Sequence, residues 1–389
     1  MPRKMPTILV LICLAITGLP KLNADDGSPI AIRRWSDTGF TIETMGNMHV
    51  GSGLTEADTK RLPRPVDFQV SDLAPKGHAL IRWSVETSSV VTYPNIERDE
   101  EYVEHDITVH RGAWQTTGAP VFSVDGGGLL IDLNAIASSE IEGLVRHDNP
   151  EHSQAWLTVI ATSAQFDTDQ LKKIRDKLNP QVMIVGSSVD KIGDQKVEAI
   201  SHNTIAVFAP AKFDRKAATR FISLGDQPWA MTDEVAGLFD KKEAACKSSR
   251  EMFAKLSVNQ MNFKPDNGSH TPRWNSEHMM GRELLFFSQI FHAVDPSIPV
   301  MDLNPRQMPK DYTFAHADWS GAEEAAQMMR VEAFTRRFAY LLDGMDLDKK
   351  AAGSKFWKPR GLLEQMERHY KQHSANVVKK MDLDGWPSK

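Results

Sequence analysis

His369 and His373 stand four residues apart in a stretch whose apolar positions repeat at helical spacing. Leu362, Met366, His369, His373 and Val377 step by four, three, four and four residues, one stripe of a helix running from about Arg360 to Met381. Both imidazoles then face inward one turn apart, the arrangement by which a helix offers two nitrogens to one ion. Taken alone, His-x-x-x-His is more often a pair of hydrogen-bonded core histidines. A third imidazole changes the reading. His278 follows Thr271-Pro272, an N-cap and a first-turn proline, so it lies near the start of an earlier helix. Three neutral imidazoles suit zinc, nickel or iron, and three protein ligands leave a fourth position open. His278, His369 and His373 are the candidate metal ligands. Their ring nitrogens are expected within about 4 Å of one another, because each would lie near 2.1 Å from a shared ion. Trp274 and Gly281 fall on the same helix face and should pack to either side of His278.

Neighbouring residues sort less sharply. Glu277 points about 100° away from His278 on a helix and reads as a solvated or capping residue. Gln372 and Asn376 flank the histidine face and are candidates to support the ligands. His292 and His316 read as surface or loop histidines. Cys246 sits inside a helical pattern and reads as a buried thiol rather than a nucleophile. Apart from Cys13 near the N-terminus it is the only cysteine. No Cys-based metal site or redox pair can then form once the N-terminal segment is removed.

The elements that must position these residues come after Leu224-Gly225-Asp226-Gln227-Pro228, which marks a linker. Helices are predicted from Thr232 to Asn259, Pro272 to Val294, a Ser320–Glu323 capping box to Gly344, and Pro359 to about Met381. A long Pro-rich loop separates the second from the third. Four amphipathic helices without strands predict a four-helix bundle. Ahead of the linker the chain reads differently. Phe40–Thr44 and parts of Ala79–Thr92 alternate with period two, and Val121–Asp132 reads as a hairpin about Asp125-Gly126-Gly127-Gly128. Buried strands at Trp156–Ala161 and Val182–Val185 flank an amphipathic helix at Thr168–Leu178, the pattern of a βαβ unit. A further strand is expected at Thr204–Phe208. The fold class is therefore two-domain, a β-rich α/β domain over 25–224 and an all-α domain over 231–389, joined by a linker at 225–230.

Composition agrees with a globular chain: 389 residues, 41% hydrophobic and 25% charged. The formal net charge of −5 and the lack of a basic stripe argue against nucleic acid as a partner. Residues 1–24 have the form of a signal peptide, with Arg3 and Lys4 before an apolar run from Thr7 to Thr17 and Leu22-Asn23-Ala24 before Asp25. That run is too short for an ordinary membrane span. Export to the periplasm or outside the cell, without stable membrane insertion, is the expectation. An uncleaved anchor is the alternative.

Phe263-Lys264-Pro265, then Trp274…Glu277-His278-Met279, then His369-Tyr370-Lys371-Gln372-His373 resemble the DinB-like (YfiT-related) superfamily over roughly Met231 to Pro387. The resemblance implies a four-helix bundle whose three histidines bind a divalent metal, often zinc or nickel, with water completing the site. Some relatives are thiol-dependent transferases or metal-dependent hydrolases. A weaker resemblance links Gly127–Asp132 and Thr162–Thr168 to the metallo-β-lactamase fold, an αββα arrangement. Active members carry Thr-His-x-His-x-Asp-His at the second segment. Here Ser163, Gln165 and Thr168 stand at histidine positions and, of the metal-ligand positions, only Asp167 matches, which implies a degenerate, non-catalytic copy. In an unrelated α/β domain, Asp167 would simply cap the helix.

Two functions follow. One is an exported metal-dependent hydrolase or transferase acting on an unidentified small molecule through the three histidines. The other is a non-catalytic binding or scaffold protein. A histidine-rich metal carrier fits poorly, since only three histidines converge.

Overall fold

The computed structural model describes residues 29–70, 80–81, 107–111, 119–124, 128–144, 156–210, 212–215, 217–301 and 314–388. The signal-peptide reading of residues 1–24, the triplet Asp125-Gly126-Gly127 and most of Ala79–Thr92 lie outside them.

The first part of the chain forms β1 (Ile30–Arg34), β2 (Phe40–Glu43), β3 (His49–Ser52), the short helix α1 (Glu56–Thr59), β4 (Phe68–Val70), β5 (Leu80–Ile81), β6 (Ile107–Arg111), β7 (Pro120–Val124) and β8 (Gly128–Asp132). There follow β9 (Leu157–Ala161), helix α2 (Thr168–Leu178), β10 (Val182–Val185), a small β11–β12 hairpin (Lys191–Ile192, Gln195–Lys196), β13 (Glu198–Ile200), β14 (Thr204–Val207) and β15 (Arg220–Leu224). Among the described residues, one sheet runs β14-β1-β2-β3-β4-β5 and a second β13-β15-β10-β9-β8-β7-β6. The expected hairpin is present as β7 and β8, with Phe122 opposite Leu130. The expected βαβ unit is also present, since β9 and β10 pair in parallel with Thr158 opposite Val182.

Period-two alternation sets the layers. Ile30 and Ile32 of β1, Phe40 and Ile42 of β2, and Ile205 and Val207 of β14 face inward against Phe122, Leu130, Ile160, Ile184 and Ile222 of the second sheet. The other face of that sheet is covered by Leu171, Ile174 and Leu178 of α2. Each of these three burials is worth at most about 1.5–3 kcal/mol. The residues between the inward ones, Ala31 and Ala206, instead join the core of the helical part. The order of layers is helix, sheet, sheet, helical part.

No strand lies beyond Pro228 among the described residues. The long helices are α3 (Asp233–Phe253), α5 (Pro272–Val294), α6 (Gly321–Arg337) and α7 (Pro359–Val378), with a single turn, α4 (Val258–Met261), after the first. The first predicted helix is thus two. The Ser257 hydroxyl accepts from the Gln260 amide and the Gln260 side-chain oxygen accepts from the Ser257 amide, a capping box that starts a new helix after Phe253. The third ends at Arg337, passes through a 3-10 turn at Ala339–Leu342, and stops at Gly344, whose φ of 69° is left-handed. The last stops at Val378, three residues early. Helix α5 begins where expected, with the Thr271 hydroxyl accepting from the Trp274 amide at 3.0 Å. Helix α3 packs on α6 and α7, and α5 packs on the same two. Phe239, Phe253, Leu284, Phe287, Phe334, Phe338, Leu362 and Met366 fill the space between them, while Leu238 and Met252 are only half-buried at its edge.

Charged residues also enter this core, in matched sets. Lys242 of α3 meets Glu283 of α5 at 2.7 Å with both side chains fully buried. The Tyr370 hydroxyl of α7 donates to the second oxygen of the same carboxylate at 2.7 Å. One carboxylate therefore joins three helices. Arg273 of α5 likewise meets Glu324 of α6 at 2.9 Å, and Ser276 donates to the other Glu324 oxygen.

Candidate metal centre

Helix α5 carries His278 and α7 carries His369 and His373, and the side-by-side packing of these helices brings the three rings together. Ring centroids lie 4.8 Å apart for His278 and His369, 5.1 Å for His278 and His373, and 4.5 Å for His369 and His373. One nitrogen from each ring falls in a group whose members are all within 4.8 Å of one another. This is somewhat wider than the 4 Å expected. His278 and His369 are buried and His373 half-buried.

The protonation of the set suits ligation. Burial pushes His278 down to about 3, with the His369 and His373 rings adding to the effect. Burial likewise brings His369 to about 4, with Arg282 contributing, and His373 to about 4, with His369, His270 and Lys380 contributing. All three are neutral at pH 7, the form that binds metal. The Nδ1 atoms of His278 and His369 are buried without a hydrogen-bond partner. Polar atoms left so are rare inside proteins. His373 is oriented instead: its Nδ1–H donates to Asn275 Oδ1 at 2.7 Å. The amide orientation of Asn275 follows from its Nδ2 donating to the Thr271 carbonyl at 2.7 Å. The lone pair of His373 therefore resides on Nε2. A buried, neutral three-imidazole donor set with unspent nitrogens fits a divalent metal, and the same donors leave its identity open.

Trp274 stacks on His278 at 4.4 Å, and His270 stacks on Trp274 at 3.7 Å. Gly281, one turn further along α5, is buried. A cavity of about 460 Å³ opens beside His373, lined by His270, Trp274, Asn275, Asn376, Lys379 and Lys380 among others, and no carboxylate among the described residues lines it. Lys380 is almost wholly buried there, and its ammonium donates to the Asn376 carbonyl at 2.8 Å.

Other sequence expectations fare unequally. Glu277 is not solvated: it is buried, and its carboxylate accepts from the amides of Ala315 at 3.0 Å and His316 at 3.3 Å, holding the loop before α6. Gln372 and Asn376 are exposed, and the residue that orients a ligand is Asn275 on the opposite helix. An asparagine three residues before His278, on a face otherwise buried, was the available signal. His270 was also missed, because it precedes the helix and no periodicity reaches it. His292 is exposed with Nδ1 against the Ile298 carbonyl at 2.7 Å, and His316 stacks on Trp319. Cys246 is buried in α3, and burial pushes its thiol well up, away from reactivity.

The loop after β9 is built differently. Asp167 caps α2, accepting from the Gln170 amide at 2.8 Å. Asn134 Oδ1 accepts from the amides of Thr162 and Ser163, and Gln165 donates to the Ile136 carbonyl.

No family model matches the chain, and no curated protein matches it. Among solved structures, a Thermotoga maritima protein assigned to the Zn-dependent hydrolases of the metallo-beta-lactamase superfamily is similar at a TM-score of 0.30 and 11% identity, over 50% of this chain and 99% of that one.

Proposed function

We propose that the chain is an exported metal-dependent hydrolase or transferase whose helical part is a DinB-like four-helix bundle and whose site is His278, His369 and His373. The observation that carries this reading is the convergence of three neutral imidazoles from two helices, with the Nδ1 atoms of His278 and His369 unspent. A divalent ion held there would supply Lewis acidity, polarising a substrate oxygen and acidifying water or a thiol. Asn275 keeps His373 in the tautomer that presents Nε2. Trp274 covers one side of His278 and limits approach to the cavity beside His373. Lys379 and Lys380 give that approach a positive wall, which suits an anionic substrate. Low-molecular-weight thiols are mainly cytosolic, so export favours hydrolysis over thiol transfer.

A non-catalytic reading is favoured only for the first part of the chain. Its helix–sheet–sheet layering is compatible with a degenerate metallo-β-lactamase-like fold, and in the loop after β9 Ser163 Oγ accepts from the Gln165 amide, Gln165 donates to the Ile136 carbonyl and Asp167 caps α2.

Metal analysis of the purified full chain tests the reading. About one equivalent of a divalent metal is expected, lost from His373→Ala and His278→Ala while far-ultraviolet circular dichroism is unchanged. A metal-free wild type that takes up no zinc or nickel would put the scaffold reading ahead.

A further inference from the structure

A second cavity lies where the first sheet meets the helical part. It has a volume of about 590 Å³ and is lined by Arg33, Arg61, Arg64, Arg336 and Arg337, with Glu43 the one carboxylate on its wall. The same alternation that builds the sheet places these groups. Ile30, Ile32, Phe40 and Ile42 point into the core between the sheets, so Arg33 and Glu43 point out of it, toward α6. Arg61 and Arg64 come from the segment after α1, Arg336 and Arg337 from the last turn of α6.

The charges there do not balance. Glu43 is shared by three guanidiniums, bonded to Arg33, 3.4 Å from Arg337 and 3.5 Å from Arg64. One carboxylate neutralises one of them. Asp67 stands 3.8 Å from Arg64 and compensates part of a second. Arg61 donates to the carbonyls of Trp35 and Asp226 and has no carboxylate partner among the described residues. Arg336 lies over the Phe239 ring, and its carboxylate contacts among the described residues are long, 3.6 Å to Glu243 and 3.9 Å to Asp240. Burial by itself would raise the Glu43 carboxyl, yet the surrounding guanidiniums, Arg33 and Arg337 foremost, hold it well below the usual range. Among the described residues, five guanidiniums and one carboxylate thus line a half-enclosed cavity.

We infer that this cavity binds a small phosphorylated molecule, its phosphoryl group held between the guanidiniums of the first sheet and of the segment after α1, Arg61 among them, and those of α6. A carboxylate presents two oxygens, both in one plane. A phosphoryl group accepts from several directions at once, which matches forks arriving from separate elements. The cavity is larger than bare phosphate needs, and Trp229 and Pro228 offer apolar wall for an organic portion. The enclosed shape and the acidic chain as a whole argue against a nucleic acid strand.

Calorimetric titration of the full chain with pyrophosphate tests this, before and after removal of metal by chelation. One equivalent should bind in both states. Arg61→Gln and Arg336→Gln lie outside the buried Glu43 cluster, so neither should disturb folding. Each should weaken binding about tenfold, and the double variant about a hundredfold. Potassium chloride at matched ionic strength should not compete to the same degree. Absence of saturable binding at millimolar pyrophosphate, equal affinity in the variants, or loss of binding on chelation would overturn the inference. The last would place the anion at the histidines instead.

Discussion

The loop after β9 and the histidine cluster of α5 and α7 both gather polar side chains at the end of a buried element, and they dispose of them in opposite ways. At the loop, Asn134, Ser163, Gln165 and Asp167 are spent on nearby backbone and on the cap of α2. At the cluster, two ring nitrogens are buried with no protein partner, and the third ring is turned by Asn275 so that its remaining nitrogen is unused. Isolated unsatisfied atoms occur elsewhere, at Thr158 and His49 for example. Convergence on one point is what separates a binding arrangement from a structural one. Unsatisfied buried polar atoms are costly, and two of them on adjoining rings are a donor set that a bound group would satisfy.

The sharpest way to widen this contrast is Asn275→Ala. Removing the acceptor from His373 Nδ1 should lower metal affinity by about 10- to 100-fold without abolishing it, as loss of an orienting partner does at other metal sites. Competition titration against a chelating dye reads the change. An unchanged affinity would mean that the tautomer of His373 does not depend on α5. Acid is the next probe. The three rings sit at about 3 to 4 when folded and near 6.5 when unfolded. Below 6.5 the unfolded chain takes up protons that the folded chain refuses. The stability of metal-free protein should therefore be full above about pH 6.5 and fall steadily toward pH 4. Melting temperatures across that range, compared with His278→Gln, isolate the contribution: the variant should show a shallower slope. The smallest expected effect belongs to the loop. Asp167→Ala should cost about 1 kcal/mol of stability through the lost cap and leave metal affinity unchanged. Denaturant unfolding and the dye titration report the two halves of that statement, and weaker metal binding would tie the loop to the site after all.

Local signals were legible in the chain and long-range ones were not. Thr271-Pro272 and Ser320…Glu323 announce helix starts because caps are made within four residues. His369 and His373 reveal a shared face because helical period alone decides it. Ser257…Gln260 carries the same kind of cap signal, but it was overrun by an unbroken apolar pattern on either side. Glu277 looked solvated because its helix position says nothing of the loop at Ala315 and His316 that folds over it. Asn275 reads as an ordinary first-turn polar residue until α7 is laid beside it. Nor does any periodicity show that β14 pairs with β1 across some 170 residues, which is what turns Arg33 toward α6.

The carboxylate of Glu283, gripped by Lys242 from α3 and Tyr370 from α7, has a consequence for assembly. Apolar helix faces tolerate sliding by a turn, about 5.4 Å, because one leucine stripe resembles the next. A charged contact inside such a core does not. A slip of α5 against α3 would strand a buried ion at a cost of about 3–5 kcal/mol, a large share of the stability of a domain, and a slip of α7 would take the Tyr370 hydroxyl away from the Glu283 carboxylate. Tyr370 is the neighbour of His369, so the alignment that satisfies Glu283 is also the one that brings α7 level with His278. The lysine, glutamate and tyrosine act as an alignment key: the one register that satisfies all three is the register in which the three imidazoles stand level.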